Sequence, residues 1–133
     1  MELPDNQELP IDDDNIRSGV PLFAESIPAA GFDLLQMLVP NPPATFLLRV
    51  SGNSMINAGI FADDILIVDR SLSPKSGDIV VAVIDGEFNV RRVVVNGKKI
   101  ELRAANPKYK SIKFAEKSEL NVWGVVKSVV HFV

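Results

Sequence analysis

From Ala44 to the C-terminus, short runs of apolar and β-branched residues alternate with turn residues, the pattern of strands rather than helices. Strands are predicted over Thr45–Val50, Ile65–Val68, Ile79–Ile84, Glu87–Val95 and Lys99–Arg103. Leu120–Val133 supplies a last strand or pair, broken near Gly124. Asp85-Gly86 is a strong signal for a two-residue hairpin, and Asn96-Gly97 predicts a second by the same rule. Ser73–Asp78 is turn chemistry, Asp63-Asp64 leads into its strand, and Asn106-Pro107 opens a loop. Upstream the pattern changes. Asp33 is placed to cap a short helix through Val39, with Leu34, Leu35 and Leu38 on one side and Pro40, Pro42 and Pro43 ending it. Residues 1–20 hold Pro4, Pro10 and a run of acids with little periodicity, followed by the apolar tether Val20-Pro21-Leu22-Phe23. Ala29, Ala30 and Gly31 are small enough to enter a narrow cleft in extended form, and Gly31 relaxes the backbone there. The expected fold is mostly β: a compact, curled, β-barrel-like domain over residues 32–133 behind a flexible arm, 1–31.

Composition narrows the chemistry. A chain of 133 residues, 47% hydrophobic and 23% charged, suits one globular domain with a real core. The absence of cysteine excludes disulfides, thiolate metal sites and a cysteine nucleophile, and a single histidine, His131, excludes a multi-histidine metal site within one chain. Asp63, Asp64 and Asp69 are expected to cap turns rather than hold a cation, so neither metal nor cofactor is implied. No apolar run approaches membrane-spanning length, and the N-terminus is acidic where a signal peptide is basic. The expectation is a cytoplasmic protein with no membrane partner. Of the acids behind the net charge of −3, six lie in residues 1–14, so the remainder carries 14 basic against 11 acidic groups. That balance gives little support for direct sequence-specific DNA binding. The acidic arm either lies on the body, meets a basic partner, or is simply solvated.

The candidate chemistry sits in Val50-Ser51-Gly52-Asn53-Ser54-Met55, where Ser54 follows a strand and a glycine turn. Taken alone, Ser54 is a turn residue or cap. As a nucleophile it needs a base. The candidate partner strand after Asp85-Gly86 carries Arg91 and Arg92, adjacent positions that face opposite sides. Phe23, Phe32, Phe46, Phe88 and Trp123 are expected to anchor the core or an interface, and apolar Phe132-Val133 suits a final strand at a dimer contact.

An ordered series of motifs resembles the LexA/UmuD family of self-cleaving serine peptidases. It comprises Pro21-Leu22-Phe23, Ala30-Gly31, Asn41–Phe46, Val50–Met55, Gly59-Ile60, Asp64–Asp69, Ser76–Val80, Asp85–Phe88 and Trp123–Val126. Fewer than about thirty residues precede the small-residue segment, too few and too proline-broken for a helix-turn-helix domain, so UmuD-type rather than repressor-type members are the nearer likeness. The resemblance implies a β-rich homodimer that cuts its own arm at a small residue–Gly bond when stimulated by the RecA filament on single-stranded DNA. The trimmed dimer then joins an error-prone Y-family polymerase subunit. Carried onto this chain, Ser54 is the nucleophile and Ala30–Gly31 the scissile bond. The family's general-base lysine falls at Arg91.

Arginine changes the chemistry. A buried lysine can shed its proton near neutral pH, whereas arginine, with a pKa above about 12, does not. Self-cleavage is therefore expected to be slow or absent. The Gly31-to-Ser54 connection is also shorter than the family's usual spacer, which favours cutting between subunits or no cutting at all. Lys98 and Lys99 lie at the far hairpin turn and are not expected to substitute for the base; nor is His131. The alternative reading is a non-catalytic, dimeric protein-interaction module on the same fold. A repressor's C-terminal domain is a third, requiring a DNA-binding partner chain.

Overall fold

The structure, a computed structural model, describes residues 28–133. The predicted acidic arm and the Val20–Phe23 tether lie outside the described residues. The chain divides between Asp33 and Leu34 into two units. In the first, Ala29–Phe32 forms a turn closed by the Phe32 N–H donating to the Ala29 carbonyl (3.1 Å). Ala30 and Gly31 are its central residues, and Gly31 takes φ +84°, the left-handed conformation that glycine adopts without strain. The segment expected to be extended is thus a turn, and its residues are exposed.

The second unit, Leu34–Val133, is a seven-stranded antiparallel sheet. Its strands are β1 (Thr45–Arg49), β2 (Ile65–Asp69), β3 (Ile79–Ile84), β4 (Glu87–Asn96), β5 (Lys99–Arg103), β6 (Ile112–Phe114) and β7 (Val122–Val130). They lie in the order β1-β2-β7-β3-β4-β5-β6. The mostly-β expectation holds, but the sheet is open: β1 and β6 are free edges, not the seam of a closed barrel. Curvature comes instead from two register shifts on β7, which skip Trp123 opposite β3 and Lys127 opposite β2. The stretch expected to break near Gly124 is therefore one bulged strand. A short helix, α1 (Leu34–Leu38), precedes β1 with its side chains largely exposed.

Local sequence explains the hairpins. Asp85 (φ 52°) and Gly86 (φ 79°) both take left-handed conformations, as a two-residue type I′ turn requires, and Ile84 pairs with Glu87 across it. The second hairpin lies one residue later than predicted. Asn96 pairs with Lys99, so Gly97-Lys98 forms the turn with glycine (φ 64°) at its first central position. β6 was not foreseen, because three residues are too few to show a period.

Two apolar clusters cover the sheet. One contains Val80, Ala82, Val93, Ile100, Leu102 and Val125; the other contains Met55, Ile60, Leu66, Val68 and Val81. Successive residues of β3 enter opposite clusters, as the two-residue period of a strand dictates. Two of the three aspartates behave as turn caps. Asp69 accepts from the Ser71 hydroxyl (2.6 Å) and backbone N–H (2.7 Å). Buried Asp64 accepts from the Phe61 N–H (2.8 Å) and meets His131 Nδ1, joining the turn before β2 to the tail after β7.

These contacts set an acid limit. The Phe61 N–H, aided by His131, holds the Asp64 carboxyl below its ordinary value, and the Ser71 hydroxyl and N–H do the same for Asp69. A depressed carboxylate stabilises the fold fully above the unfolded pKa of about 4 and loses that contribution as pH falls through the folded value. Thermal unfolding followed from pH 6 to pH 2 is expected to show a Tm that is flat above pH 5 and falls steadily below pH 4. Asp64→Asn is expected to lower the plateau and flatten the descent. An equally steep descent in Asp64→Asn would assign the acid sensitivity elsewhere.

Candidate active site

β1 ends at Arg49, and Val50 is held against the turn before β2 by two backbone bonds: its N–H donates to Asp64 and its carbonyl accepts from Asp63 (both 2.8 Å). Gly52 (φ 89°) then turns the chain so that Ser54 faces a cleft while Met55 enters the core, 2% exposed. Met55 also starts the 3-10 turn Ile56–Ala58, whose Ala58 N–H donates back to the Met55 carbonyl (3.0 Å). A buried methionine beside the serine is thus an anchor for Ser54.

A second loop fastens this one from outside. The Ala105 N–H donates to the Ser54 carbonyl (2.9 Å), and the Ala105 carbonyl accepts from Asn57 (2.8 Å). Asn106, buried, donates from Nδ2 to the Asn53 carbonyl (2.7 Å) and accepts at Oδ1 from the Lys108 N–H (3.0 Å). The Asn106-Pro107 signal marked a loop, but nothing in the linear pattern tied it to residues fifty positions earlier. Asn106→Ala is expected to cost about 1–2 kcal/mol, measured by a lower denaturant midpoint. An unchanged midpoint would show the loop to be held by its backbone bonds alone.

Arg91 arrives from β4, paired with Val80 of β3. The structure brings it to Ser54: Nη1 donates to Ser54 Oγ (2.9 Å) and to its neighbour Val90's carbonyl (2.7 Å). Its side chain is buried, with the residue only 7% exposed, and Nε is enclosed without an acceptor. The guanidinium carbon lies 5.7 Å from the Tyr109 ring centroid. Burial pushes the guanidinium below its ordinary value, but arginine in a protein stays protonated at neutral pH. Arg92, on the opposite side of the strand, donates instead to the Gly77 carbonyl (2.7 Å).

The cleft, about 230 Å³, has apolar walls from Leu48, Val50, Phe88 and Val90 and polar ones from Arg49, Asn53, Asn89 and Tyr109 around Ser54 and Arg91. Phe88 continues into an exposed aromatic group: its ring lies 4.9 Å from Trp123, which meets Phe46 edge-on at 5.6 Å and carries Arg70 at 4.4 Å. Phe46 and Phe88 are about half exposed, so they are surface anchors rather than core. His131 is engaged with Asp64 and Phe61 and is not among the cleft residues; Lys98 stands in the exposed hairpin turn and Lys99 is exposed at the start of β5. Ala30 and Gly31 fall in the other unit. Among the described residues no cluster of acids and histidine could hold a metal, and no helix is long and apolar enough to cross a membrane.

This ordered pair in a cleft agrees with what comparison finds. Residues 10–127 match the Peptidase S24-like family. The chain belongs to that family. Protein ImpA of Salmonella typhimurium is 36% identical over 128 residues, covering 96% of this chain and 86% of ImpA. Protein SamA of Salmonella typhimurium strain LT2 is 37% identical, covering 87% of this chain and 88% of SamA. The LexA repressor of Oleidesulfovibrio alaskensis is 38% identical over 112 residues, covering 84% of this chain but 53% of the repressor. Membership of the LexA/UmuD-type peptidases, expected from the motif series, is thereby borne out. The mostly-β, open antiparallel sheet is consistent with the Peptidase S24-like family.

Proposed function

We propose that this chain is a UmuD-type accessory protein of the SOS response whose self-cleaving site is impaired by arginine at the general-base position. The observation that carries this reading is the 2.9 Å contact between Arg91 Nη1 and Ser54 Oγ in the cleft of a Peptidase S24-like chain. In this reading Ser54 is the nucleophile, Ala30–Gly31 the bond to be cut, residues 1–31 the arm and 32–133 the peptidase-fold domain. The protein is a cytoplasmic homodimer, stimulated by the RecA filament on single-stranded DNA, and its trimmed form joins an error-prone Y-family polymerase subunit.

The defect follows from proton bookkeeping. Attack by Ser54 requires its proton to leave as the Oγ–C bond forms, and a lysine holding a lone pair would accept it. Arg91 already bears its proton and donates into the Oγ lone pair the attack needs. The pair can position the hydroxyl and stabilise negative charge nearby, but it cannot take up the proton.

The same contact favours a second reading: a dimeric interaction module in which the cleft only docks a peptide segment. Damage-induced mutagenesis in cells lacking their own UmuD-type protein separates the two. The full chain is expected to be inactive and Arg91→Lys to restore mutagenesis, dependent on Ser54. Equal activity of the full chain, Arg91→Lys and Arg91→Lys with Ser54→Ala would favour the interaction module.

A further inference from the structure

We propose that the Ser54–Arg91 cleft is a receptor for a free carboxylate, the C-terminal carboxylate of a peptide ending in small residues. The guanidinium is a buried charge with only neutral partners among the described residues: Ser54 Oγ and the Val90 carbonyl share Nη1, and Nε has no acceptor. No acid lines the cleft, and the buried aspartates have their contacts elsewhere, Asp64 with Phe61 and His131 and Asp69 with Ser71. A buried cation without an anion is an incomplete arrangement. The cleft opens on this group.

The direction of the hydrogen bond then decides what fits. Because Ser54 Oγ accepts from Arg91, its own proton is free to be donated into the cleft. A lysine base would draw that proton the other way. Arginine thus turns the serine from a proton source for chemistry into a second donor beside a fixed cation. A hydroxyl donor beside a fixed cation suits the negative charge and acceptor oxygens of a carboxylate. Leu48, Val50, Phe88 and Val90 give the cleft apolar walls, Arg49, Asn53, Asn89 and Tyr109 add polar ones, and about 230 Å³ admits a carboxylate with one or two small side chains.

Assigning the carboxylate to a chain end rests on the peptidase reading, in which Ser54 faces the carbonyl carbon of the residue before the cut. A chain ending there presents its carboxylate at the same point. Pro28-Ala29-Ala30 is the corresponding sequence in this protein.

The test is titration of the full chain at pH 7 by calorimetry, with the arginine Nε–H resonance as a second readout. The ligands are acetyl-Pro-Ala-Ala with a free carboxylate, the same peptide amidated, and sodium acetate. The free acid is expected to bind at least tenfold more tightly than the amide and to shift the Arg91 signal. Acetate is expected to bind more weakly than the peptide. Arg91→Gln is expected to abolish the preference for the acid, and Ser54→Ala to weaken it several-fold. Equal binding of acid and amide by the unaltered chain, or no binding by either, overturns the carboxylate site without reliance on any variant's folding. Acetate binding as tightly as the peptide overturns the assignment to a chain end. The peptidase reading fails separately, through the absence of cleavage in Arg91→Lys, whatever these titrations show.

Discussion

Arg91→Lys is expected to start self-cleavage, with fragments ending at Ala30 and beginning at Gly31. Supplying a general base typically raises a rate by about 10²–10⁴, and more where base and nucleophile act as a unit. The position is suited to it. The residue at 91 is 7% exposed and reaches Ser54 Oγ from β4, so a lysine there inherits both the burial that lowers an ammonium's pKa and the proximity that proton transfer requires. Arginine in the same place keeps its charge. Intact mass spectrometry after prolonged incubation at mildly alkaline pH reads the outcome directly. The unaltered chain and Arg91→Lys with Ser54→Ala are both expected to stay whole. If Arg91→Lys also stays whole when the RecA filament on single-stranded DNA is added, the fold is a binding scaffold rather than a latent peptidase.

Gly124→Ala is expected to produce the largest loss of stability from a single methyl group. Gly124 lies on β7 opposite Val81 of β3, next to the bulge at Trp123, and a Cβ there would sit 2.5 Å from Val68 Cγ1. Val68 is wholly buried on β2, and its branched side chain has little rotamer freedom with which to give way. The Asp69 carbonyl and Arg70 Cγ, each 3.4 Å from the same point, close off other directions. Overpacking of this kind costs about 1–3 kcal/mol, a fall in Tm of roughly 5–15 °C for a domain of this size. Adding Val68→Ala is expected to recover part of the loss, so the two changes are strongly non-additive. A Tm within about 2 °C of the unaltered chain would mean that β7 shifts to accept the methyl.

Much of the fold was legible along the chain because its signals are local. Alternation marked β3 and β5 to the residue and β1, β2 and β4 to within a residue or two, and Asp85-Gly86 named its two-residue turn. The candidate site was partly legible for a different reason. Ser54 and Arg91 stand in ordered motifs whose likeness to a family supplied the pairing. Where the sequence misled, the deciding contact was distant. Gly124 had the look of a strand break, since a lone glycine lowers strand propensity, but it is small because β2 presses Val68 against it. Phe46, Phe88 and Trp123 were expected as anchors, and only their packing across β1, β4 and β7 makes them an exposed group beside the cleft.

By itself, then, the sequence determined the mostly-β class, the hairpins and the chemical identity of the two facing groups. An arginine is an arginine in any fold, and its inability to give up a proton follows from its structure alone. The tertiary structure decided that this arginine is buried, that it lies 2.9 Å from Ser54 Oγ, and that it donates to the hydroxyl rather than to a carboxylate. It also decided that Asn106 holds the serine's loop from 53 residues away. Contacts of that separation depend on the register and curvature of the sheet, and neither is written in any local window of the chain.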